Sequence, residues 1–250
     1  MKRVLITGAS SGIGRALAVE FGRRGHAVAL AARRADALAE TARLATEAGA
    51  PEAITLATDL SHAEKAQALW HDANAQMGPI DIVIANAGVG RNYRVHKLSY
   101  DDFEFLTRVN YTATVALMLE AAPAMVERGQ GQLVGISSIA GFRGLPAASA
   151  YCGSKAALTH FLESARIDLR NKGVPVTVVS PGFVKTPMVD DHKGPLPFLV
   201  PVEKAARIVV KGILKKKRHI QFPWQLVLIA RLGRMLPAAL WDRLLSGRQL

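Results

Sequence analysis

The chain of 250 residues is long enough for one large α/β domain or two small ones, and half of its residues are apolar. A single cysteine excludes an internal disulfide and a cysteine-rich metal cluster, and it fits a reducing, cytoplasmic setting. The net charge is +12, but residues 203–250 carry +9 of it, with eleven lysines or arginines against two acids. Because the main body is close to neutral and no nucleic-acid motif is present, we expect no nucleic-acid partner.

The beginning of the sequence does not have the pattern of a targeting segment. Its apolar run is short and Gly8 follows at once, so we predict no signal peptide. No uninterrupted run in the chain approaches the roughly 20 apolar residues that a membrane-spanning helix needs.

Short apolar runs alternate with helical patterns along the chain. Strands are predicted at 2–6, 26–31, 53–58, 81–85, 132–137 and 174–179. Helices are predicted to start at Gly12, to cover 36–48, to follow a capping box of Ser61 with Glu64, and to cover 99–126 and 149–171. Because no linker interrupts this alternation, we predict a single α/β domain over 1–250, a doubly wound parallel sheet with helices on both faces.

Polar and glycine-rich residues stand where the predicted strands end, and ligands of open α/β sheets bind beyond those ends. The glycine-rich turn Thr7-Gly-Ala-Ser-Ser-Gly-Ile-Gly14 follows the first strand and opens the first helix. Its glycines let the backbone approach a pyrophosphate, and the helix N-terminus stabilises the negative charge. A tight turn without a ligand would show the same glycines, but the position inside the first βαβ unit favours dinucleotide binding.

Tyr151 and Lys155 stand four residues apart, which places them on one face of a predicted helix. The unperturbed pKa of tyrosine is about 10, and a nearby ammonium group is expected to lower it by favouring the phenolate. A tyrosine tuned in this way exchanges a proton with an alcohol or an alkoxide. A surface helix would show the same pair by chance, so the pair alone leaves both interpretations open.

The ordered motifs of residues 1–190 resemble the short-chain dehydrogenase/reductase family. They are the glycine turn, Asn86-Ala87-Gly88, Ser138, the Tyr151–Lys155 pair and Pro181-Gly182. The resemblance implies a single Rossmann-like domain with a seven-stranded parallel sheet. It also implies an oxidoreductase that transfers a hydride between a nicotinamide cofactor and a carbonyl or secondary alcohol, the cofactor supplying the difficult chemistry.

The resemblance assigns a role to each matching position. Its implied catalytic residues are Asn110 of the proton relay, Ser138, Tyr151 and Lys155. The predicted cofactor-binding residues, which include three arginines chosen for their charge, are Gly8, Ser10, Ser11, Gly12, Ile13, Gly14, Arg15, Arg33, Arg34, Asp59, Leu60, Asn86, Ala87, Gly88, Tyr151, Lys155, Pro181, Gly182, Val184 and Thr186. No metal is expected, because no metal-ligand spacing is shown by His62, His71, His96, His160 and His192.

Two departures from the family pattern stand out. Ala85 replaces the first asparagine of the common Asn-Asn-Ala-Gly motif, which removes a supporting hydrogen bond. The usual ending, in which the seventh strand runs into Val-Asp-Gly-Gly, is absent from the sequence, and His219-Ile-Gln-Phe-Pro223 stands in its place.

The residues after the second strand indicate NADP, with NAD less favoured. Proteins that select NAD usually place an acid there to bind the ribose 2′-hydroxyl, whereas this chain has Ala32 followed by Arg33 and Arg34. With Arg15 in the glycine turn, these arginines suit a phosphate through their planar donors. Asp36 could neutralise them instead, which is the alternative interpretation.

Two other classes of function fit parts of this pattern. A non-catalytic dinucleotide-binding redox sensor or scaffold would be expected to lose the serine, tyrosine or lysine, and an isomerase or epimerase of the same fold usually has a longer C-terminal domain. The segment 186–200 is predicted to close over the substrate, and its apolar residues indicate a lipophilic one, although packing onto its own core would explain them equally. The two long helices, 99–126 and 149–171, match those by which the family forms homodimers or homotetramers.

The last segment, 219–250, is an atypical amphipathic and basic extension. It combines tryptophans and leucines with arginines, follows the basic run Lys215–Arg218, and is interrupted by Pro237. Such a segment could lie peripherally on an anionic membrane surface. The alternative, which the burial of most apolar stripes in soluble proteins favours, is packing against a neighbouring subunit as a lid over the pocket.

Overall fold

A computed structural model of the protein describes residues 1–190 and 194–246. One sheet of seven parallel strands has the order β3-β2-β1-β4-β5-β6-β7. The strands are β1 (Arg3–Thr7), β2 (Ala27–Ala32), β3 (Ala53–Ala57), β4 (Ile82–Ala85), β5 (Gln132–Ile136), β6 (Val176–Pro181) and β7 (His219–Phe222). The chain is therefore the single α/β domain with a seven-stranded parallel sheet that the sequence predicted, and the strand order reverses between β1 and β4.

Helices connect the strands in the alternating order expected from the sequence. They are α1 (Gly12–Arg23), α2 (Ala35–Glu47), α3 (Ala63–Met77), α4 (Tyr100–Thr107), α5 (Ala113–Glu127), α6 (Ser149–Asp168), α7 (Pro187–Asp190), α8 (Val202–Leu214), α9 (Trp224–Met235) and α10 (Ala238–Leu245). The predicted helix 99–126 thus forms as α4 and α5, joined by one turn of π-helix over Arg108–Thr112. Pro237 separates α9 from α10, because proline cannot continue a helix from its predecessor.

The sheet has a buried apolar layer on each face. Along β1, Val4 and Ile6 point into one layer and Leu5 into the other, as the two-residue period of a strand requires. The first layer is covered by α1, α2 and α8, and the second by α3, α5 and α6. Burial on both faces explains why the strands are continuous apolar runs instead of alternating sequences.

The segment Tyr100–Glu127 is long and apolar enough, by length and composition alone, to cross a membrane. Within the fold, α5 packs against α3 over the sheet, and Leu117, Met118 and Ala121 are buried in the second apolar layer. This is the ordinary position of a helix that covers a sheet.

One local prediction was wrong, and the last strand forms without the family's usual sequence. The residue that precedes α3 is His62, and the backbone N–H of Ser61 donates to Asp59 Oδ1 (2.9 Å), so Ser61 does not begin the helix with Glu64. The seventh strand is present although the Val-Asp-Gly-Gly sequence is not, because His219–Phe222 pairs in parallel with β6. The buried side chains of Ile220 and Phe222 pack into the first apolar layer and hold this strand at the edge of the sheet.

Candidate active site

The glycine turn after β1 packs so tightly against neighbouring atoms that its glycines have no room for side chains. Gly8 and Gly12 have positive φ values of +65° and +55°, where other residues are strained. A Cβ on Gly14 would lie 2.3 Å from the carbonyl oxygen of Gly8. A Cβ on Gly12 would lie 3.3 Å from the methyl group of Thr186. The turn therefore presents bare backbone to a neighbouring group, which is what a pyrophosphate requires.

A hydrogen-bond network joins this turn to the end of β4. The Asn86 side chain donates to the carbonyl oxygens of Thr7 (2.9 Å) and Gly8 (3.3 Å). Thr7 Oγ1 accepts from the backbone N–H groups of Asn86 and Ala87, both at 3.0 Å. Thr7 was not among the predicted site residues, although its position at the end of the first strand was visible. Through these bonds Asn86, Ala87 and Gly88 are fixed beside the glycine turn at the point where the strand order reverses.

The N-terminus of α1 faces the same edge of the sheet. Ser11 precedes the helix without a capping hydrogen bond from its side chain among the described residues, and the first turn, Gly12-Ile13-Gly14-Arg15, contains no acid. The first N–H groups of a helix carry partial positive charge and have no partner within the helix. This end of α1 is thus a suitable site for an anion.

The predicted arginines take up different positions around Ser10. Arg34 donates to Ser10 Oγ (3.2 Å), and Arg15 donates to the Ser10 carbonyl oxygen (2.7 Å) and to Thr41 Oγ1 (3.1 Å). Arg33 is exposed and lies close enough to Asp59 to act on its charge. No ion pair joins Asp36 to either neighbouring arginine in the part of the chain that the structure describes. The guanidinium groups of Arg33 and Arg34 therefore keep their charge available beside the glycine turn.

Asp59 and Leu60 follow β3 on the other side of the turn. The backbone N–H of Ser61 donates to the Asp59 carboxylate and, with Arg33, holds the pKa of that carboxyl below its usual range. Leu60 is buried in the second apolar layer. The Asp59 carboxylate is thus an anion, and one of its oxygens already accepts a backbone hydrogen bond.

Ser138 and Tyr151 meet beyond the carboxyl end of β5. Ser138 Oγ accepts the backbone N–H of Ala140 (3.1 Å) at the start of a 3₁₀ turn, and its hydroxyl lies close enough to Tyr151 to act on the pKa of the phenol. Burial raises the pKa of Tyr151 above its ordinary value, and the nearby Ser138 hydroxyl offsets this rise only in part. The expectation that Lys155 lowers this pKa was wrong for the arrangement seen here, because desolvation dominates and the ammonium group is turned towards another partner.

That partner is the main chain of β5. Lys155 Nζ donates to the carbonyl oxygen of Ile136 (2.9 Å) and lies 5.9 Å from the centre of the Tyr151 ring. It is also close to Gly88, where an added Cβ would approach it to 3.4 Å. Burial lowers the pKa of Lys155 from 10.5 to about 8. The side chain is therefore a buried ammonium group near neutral pH, between Tyr151 and the Asn86–Gly88 turn.

Asn110 lies in the π-helical turn between α4 and α5 and is fully buried. Its side chain accepts the N–H of Val89 (2.8 Å) and donates to the Val89 carbonyl (3.0 Å) and to Ser154 Oγ (3.2 Å). Ser154 in turn donates to the Tyr151 carbonyl oxygen. Asn110 thus links the loop after β4 to α6, the helix that carries Tyr151, through hydrogen bonds. The sequence did not indicate that Ser154 and Val89 would be its partners.

The segment after β6 returns over the glycine turn. Pro181 ends the strand, and Gly182 N–H donates to Phe222 of β7 (2.7 Å). Val184 is buried and bridges to Val200, while Thr186 lies against Gly12. Residues 191–193 of the predicted substrate segment, including His192, lie outside the described residues.

One contact at the site has no counterpart in the sequence patterns. Arg143, in the loop between Ser138 and Tyr151, donates to the carbonyl oxygens of Gly233 and Leu236 at the end of α9. Its guanidinium lies 4.8 Å from the centre of the Trp241 ring, and the Trp241 indole donates to Gly144. The C-terminal extension is therefore bound to the loop that joins Ser138 to Tyr151, by hydrogen bonds between residues 90 to 97 positions apart in the sequence.

Comparison with known proteins agrees with this geometry. Residues 2–194 match the family described as short chain dehydrogenase. The chain is 40% identical over 242 residues to an uncharacterized oxidoreductase of Myxococcus xanthus, covering 96% of this chain and 95% of the relative. It is 36% identical over 242 residues to the epidermal retinol dehydrogenase 2 of Mus musculus, covering 94% of this chain and 78% of the relative.

Solved structures show the same fold with cofactors bound. A short-chain dehydrogenase from Sphingobium yanoikuyae in complex with NADPH has a TM-score of 0.81 at 29% identity and covers 96% of this chain and 98% of its own. A short-chain dehydrogenase/reductase from Burkholderia phymatum in complex with NAD has a TM-score of 0.85 at 26% identity, with coverages of 93% and 92%.

A Rossmann-like sheet with a glycine turn, a buried lysine and a serine–tyrosine pair at its carboxyl edge defines a nicotinamide-dependent oxidoreductase. The chain belongs to the short-chain dehydrogenase/reductase family. It is an enzyme that acts on CH–OH or C=O groups with a nicotinamide dinucleotide cofactor.

Proposed function

We propose that the protein is an NADP-dependent oxidoreductase of a lipophilic carbonyl or secondary alcohol, with Tyr151 as its acid–base group. One observation carries the proposal: Ser138 and Lys155 both lie near Tyr151, and Lys155 also lies beside Gly88 in the Asn86–Gly88 turn. When bound, NADPH supplies the hydride that reduces the carbonyl carbon. Ser138 and Tyr151 would donate hydrogen bonds to the carbonyl oxygen as negative charge grows on it.

The pKa directions suit the reductive reaction. Because the pKa of Tyr151 is raised, its hydroxyl is protonated near neutral pH and is ready to donate. Lys155, with a pKa of about 8, is mainly protonated there and can favour the phenolate once the proton has left. Asn110 would complete the relay by holding the loop and helix around Lys155 in place. The four residues are thus the proposed catalytic set.

The proposed cofactor residues surround the end of α1. The glycine turn and the first turn of α1 would hold the pyrophosphate, Asp59 and Leu60 the adenine, and Thr186 the nicotinamide end. Asn86 would support the turn, with Gly88 beside Lys155. The backbone cradle, the uncapped helix start and the free arginine charges all fit a dinucleotide with an additional phosphate.

The preference for NADP follows from Arg33 and Arg34. A hydrogen bond between a guanidinium and a charged group contributes about 1.5–3 kcal/mol, or roughly a tenfold to a hundredfold change in affinity. The Arg34 side chain already reaches Ser10 beside the glycine turn. We therefore expect Arg34→Ala to lower kcat/KM for NADPH roughly tenfold to a hundredfold and to leave kcat/KM for NADH nearly unchanged. Steady-state kinetics with both cofactors measure this.

Arg43→Ala is the matched control, because this exposed arginine of α2 pairs with Glu40 and Glu47 away from the glycine turn. Arg33→Ala should resemble Arg34→Ala, and Arg43→Ala should resemble the wild type. Equal kcat/KM for NADPH and NADH in the wild type, unchanged in Arg33→Ala and Arg34→Ala, would rule out the preference.

The substrate proposal rests on the apolar surface of the segment 186–200. Met188, Phe198 and Leu199 are exposed, and Met188 lies over Gly90 in the loop that Asn110 pins. Burying such side chains against an apolar substrate contributes about 25 cal/mol per Å². In a series of straight-chain ketones, kcat/KM should therefore rise several-fold with each pair of added methylenes. A flat or falling series would contradict a lipophilic substrate.

We also propose a homodimer or homotetramer formed through α4–α5 and α6. Large apolar side chains are exposed on these helices, among them Phe103, Leu119 and Ile167. Exposed apolar residues on one surface indicate an interface. Light scattering at micromolar concentration should give at least twice the monomer mass, and the double variant Leu119→Glu with Ile167→Glu should reduce it. A wild-type monomer would contradict the proposal.

A further inference from the structure

The helix α9 has one face fixed against the protein. Leu226, Val227 and Gly233 are buried, and Leu226 packs beside Gly182 at the end of β6. The bonds from Arg143 to the last turn of α9 hold that turn on the loop that precedes Tyr151. The orientation of α9 is therefore set by contacts within the chain, and its opposite face points outward.

The outward face of α9 is apolar. Trp224, Leu228, Leu232 and Met235 are spaced by four, four and three residues, which places them in one stripe along the helix. Their exposed fractions are 70%, 50%, 55% and 82%. A helix on the surface of a globular protein normally turns its apolar residues towards the core, whereas α9 exposes four large apolar side chains to water. This stripe is called the α9 stripe below.

The α9 stripe begins at the mouth of an apolar cavity. The cavity has a volume of about 460 Å³, and its walls include the exposed side chains of Phe198, Leu199 and Trp224 together with Phe222 and Pro223. The end of the segment 186–200 and the start of α9 thus form one apolar surface. Apolar residues that are exposed singly are normal on a protein surface, whereas a continuous apolar surface such as this one marks an interaction site.

The charges around the α9 stripe are positive. The helix contains no acid, and Arg231 and Arg234 are exposed beside the stripe. In α10, Arg243 accompanies the single acid Asp242. Since α9 and α10 together carry three arginines and one acid, a net charge of +2, a second copy docked through the same face would bring like charge against it. An anionic surface complements both the arginines and the apolar side chains.

We propose that the α9 stripe and the cavity mouth at Phe198 and Leu199 dock on the surface of an anionic lipid bilayer. The twelve residues of α9 are far fewer than the roughly 20 that a spanning helix needs, so the helix lies in the plane of the interface. The tryptophan and leucines enter the headgroup and acyl boundary, and the arginines contact lipid phosphates. A lipophilic substrate would reach the enzyme from that surface.

Co-sedimentation with vesicles tests the proposal. Vesicles of phosphatidylcholine with a third phosphatidylserine should bind the protein at low salt, whereas pure phosphatidylcholine vesicles or high salt should reduce binding about tenfold or more. The double variant Leu228→Ser with Leu232→Ser should lower the partition coefficient roughly tenfold, because two inserted side chains are lost. Val95→Ser, which changes an even more exposed apolar residue elsewhere, should bind like the wild type.

A second pair of variants separates the local arginines from the overall charge. Arg234→Glu with Arg243→Glu should lower binding more than tenfold. The double variant Lys65→Glu with Lys172→Glu changes the net charge equally at exposed sites outside the C-terminal extension and should lower it much less. All variants should keep the thermal unfolding and NADPH oxidation of the wild type, because the altered side chains are exposed and lie outside the proposed catalytic set.

Three outcomes would overturn the proposal. The first is no binding of the wild type to anionic vesicles at low salt. The second is undiminished binding of the Leu228→Ser, Leu232→Ser variant. The third is a lower oligomeric state of that variant in light scattering, which would assign the α9 stripe to a second copy of the chain.

Discussion

Tyr151→Phe should lower kcat by a factor of about 10² to 10⁴ and leave the affinity for NADPH within about twofold of the wild type. General acid catalysis by a positioned side chain contributes a factor of this size. The phenylalanine ring keeps the packing of the half-buried tyrosine and removes only the hydroxyl that lies near Ser138. Stopped-flow or steady-state kinetics give kcat, and fluorescence titration of NADPH gives the affinity.

The matched control is Tyr100→Phe, which removes the hydroxyl of an exposed tyrosine at the start of α4. This variant should keep wild-type kcat. If Tyr151→Phe retains a tenth or more of the wild-type turnover, the proton donor has been assigned to the wrong residue. A simultaneous loss of NADPH binding would point to a structural role for Tyr151.

Gly14→Ala should reduce the affinity for NADP at least a hundredfold. The added Cβ would lie 2.3 Å from the Gly8 carbonyl oxygen and 2.6 Å from Asn86 Nδ2, so the turn has to move away from the helix. A displacement of about 1 Å at a binding site can reduce activity a hundredfold. Alanine normally stabilises a helix by about 1 kcal/mol relative to glycine, but overpacking of about 1–3 kcal/mol outweighs this gain.

Gly153→Ala provides the comparison, because an added Cβ there meets no atom within 4 Å among the described residues. Gly153 lies in α6 between Tyr151 and Lys155, and alanine should stabilise that helix by about 0.5–1 kcal/mol. Thermal unfolding and isothermal titration with NADP measure both effects. Gly14→Ala with an affinity within threefold of the wild type would show that the turn does not contact the cofactor.

The local patterns in the sequence were sufficient for most of the fold. Continuous apolar runs predicted six strands, because the strands of a sheet that is covered on both faces have no polar side. The position of the glycine-rich sequence, directly after the first strand and before the first helix, predicted the cofactor-binding turn. The seventh strand was predicted only by the family resemblance, because the family's usual Val-Asp-Gly-Gly ending is absent and no local pattern marked it. What forms it is the burial of Ile220 and Phe222 beside β6.

The pKa values and the long-range contacts at the site could not be predicted from the sequence. The spacing of Tyr151 and Lys155 predicted their proximity, but the pKa of Tyr151 depends on burial that only the packed site supplies. The contact of Arg143 with Trp241 joins two segments without a shared pattern, and no spacing rule indicates it. Asn110 lies in a π-helical turn and bonds to Val89 and Ser154 on other segments, which no local pattern indicates either.

Transfer of deuterium tests the central claim most directly, which is that the site moves a hydride between NADPH and a carbonyl group. The enzyme is incubated with a panel of ketones and aldehydes and with NADPH deuterated on the transferring carbon, and the alcohols are examined by mass spectrometry. We predict an alcohol with deuterium on its carbinol carbon, formed by the wild type and about 10² to 10⁴ times more slowly by Tyr151→Phe. NADPH binding without any alcohol, or an alcohol without deuterium, would contradict the claim and favour a non-catalytic dinucleotide-binding protein.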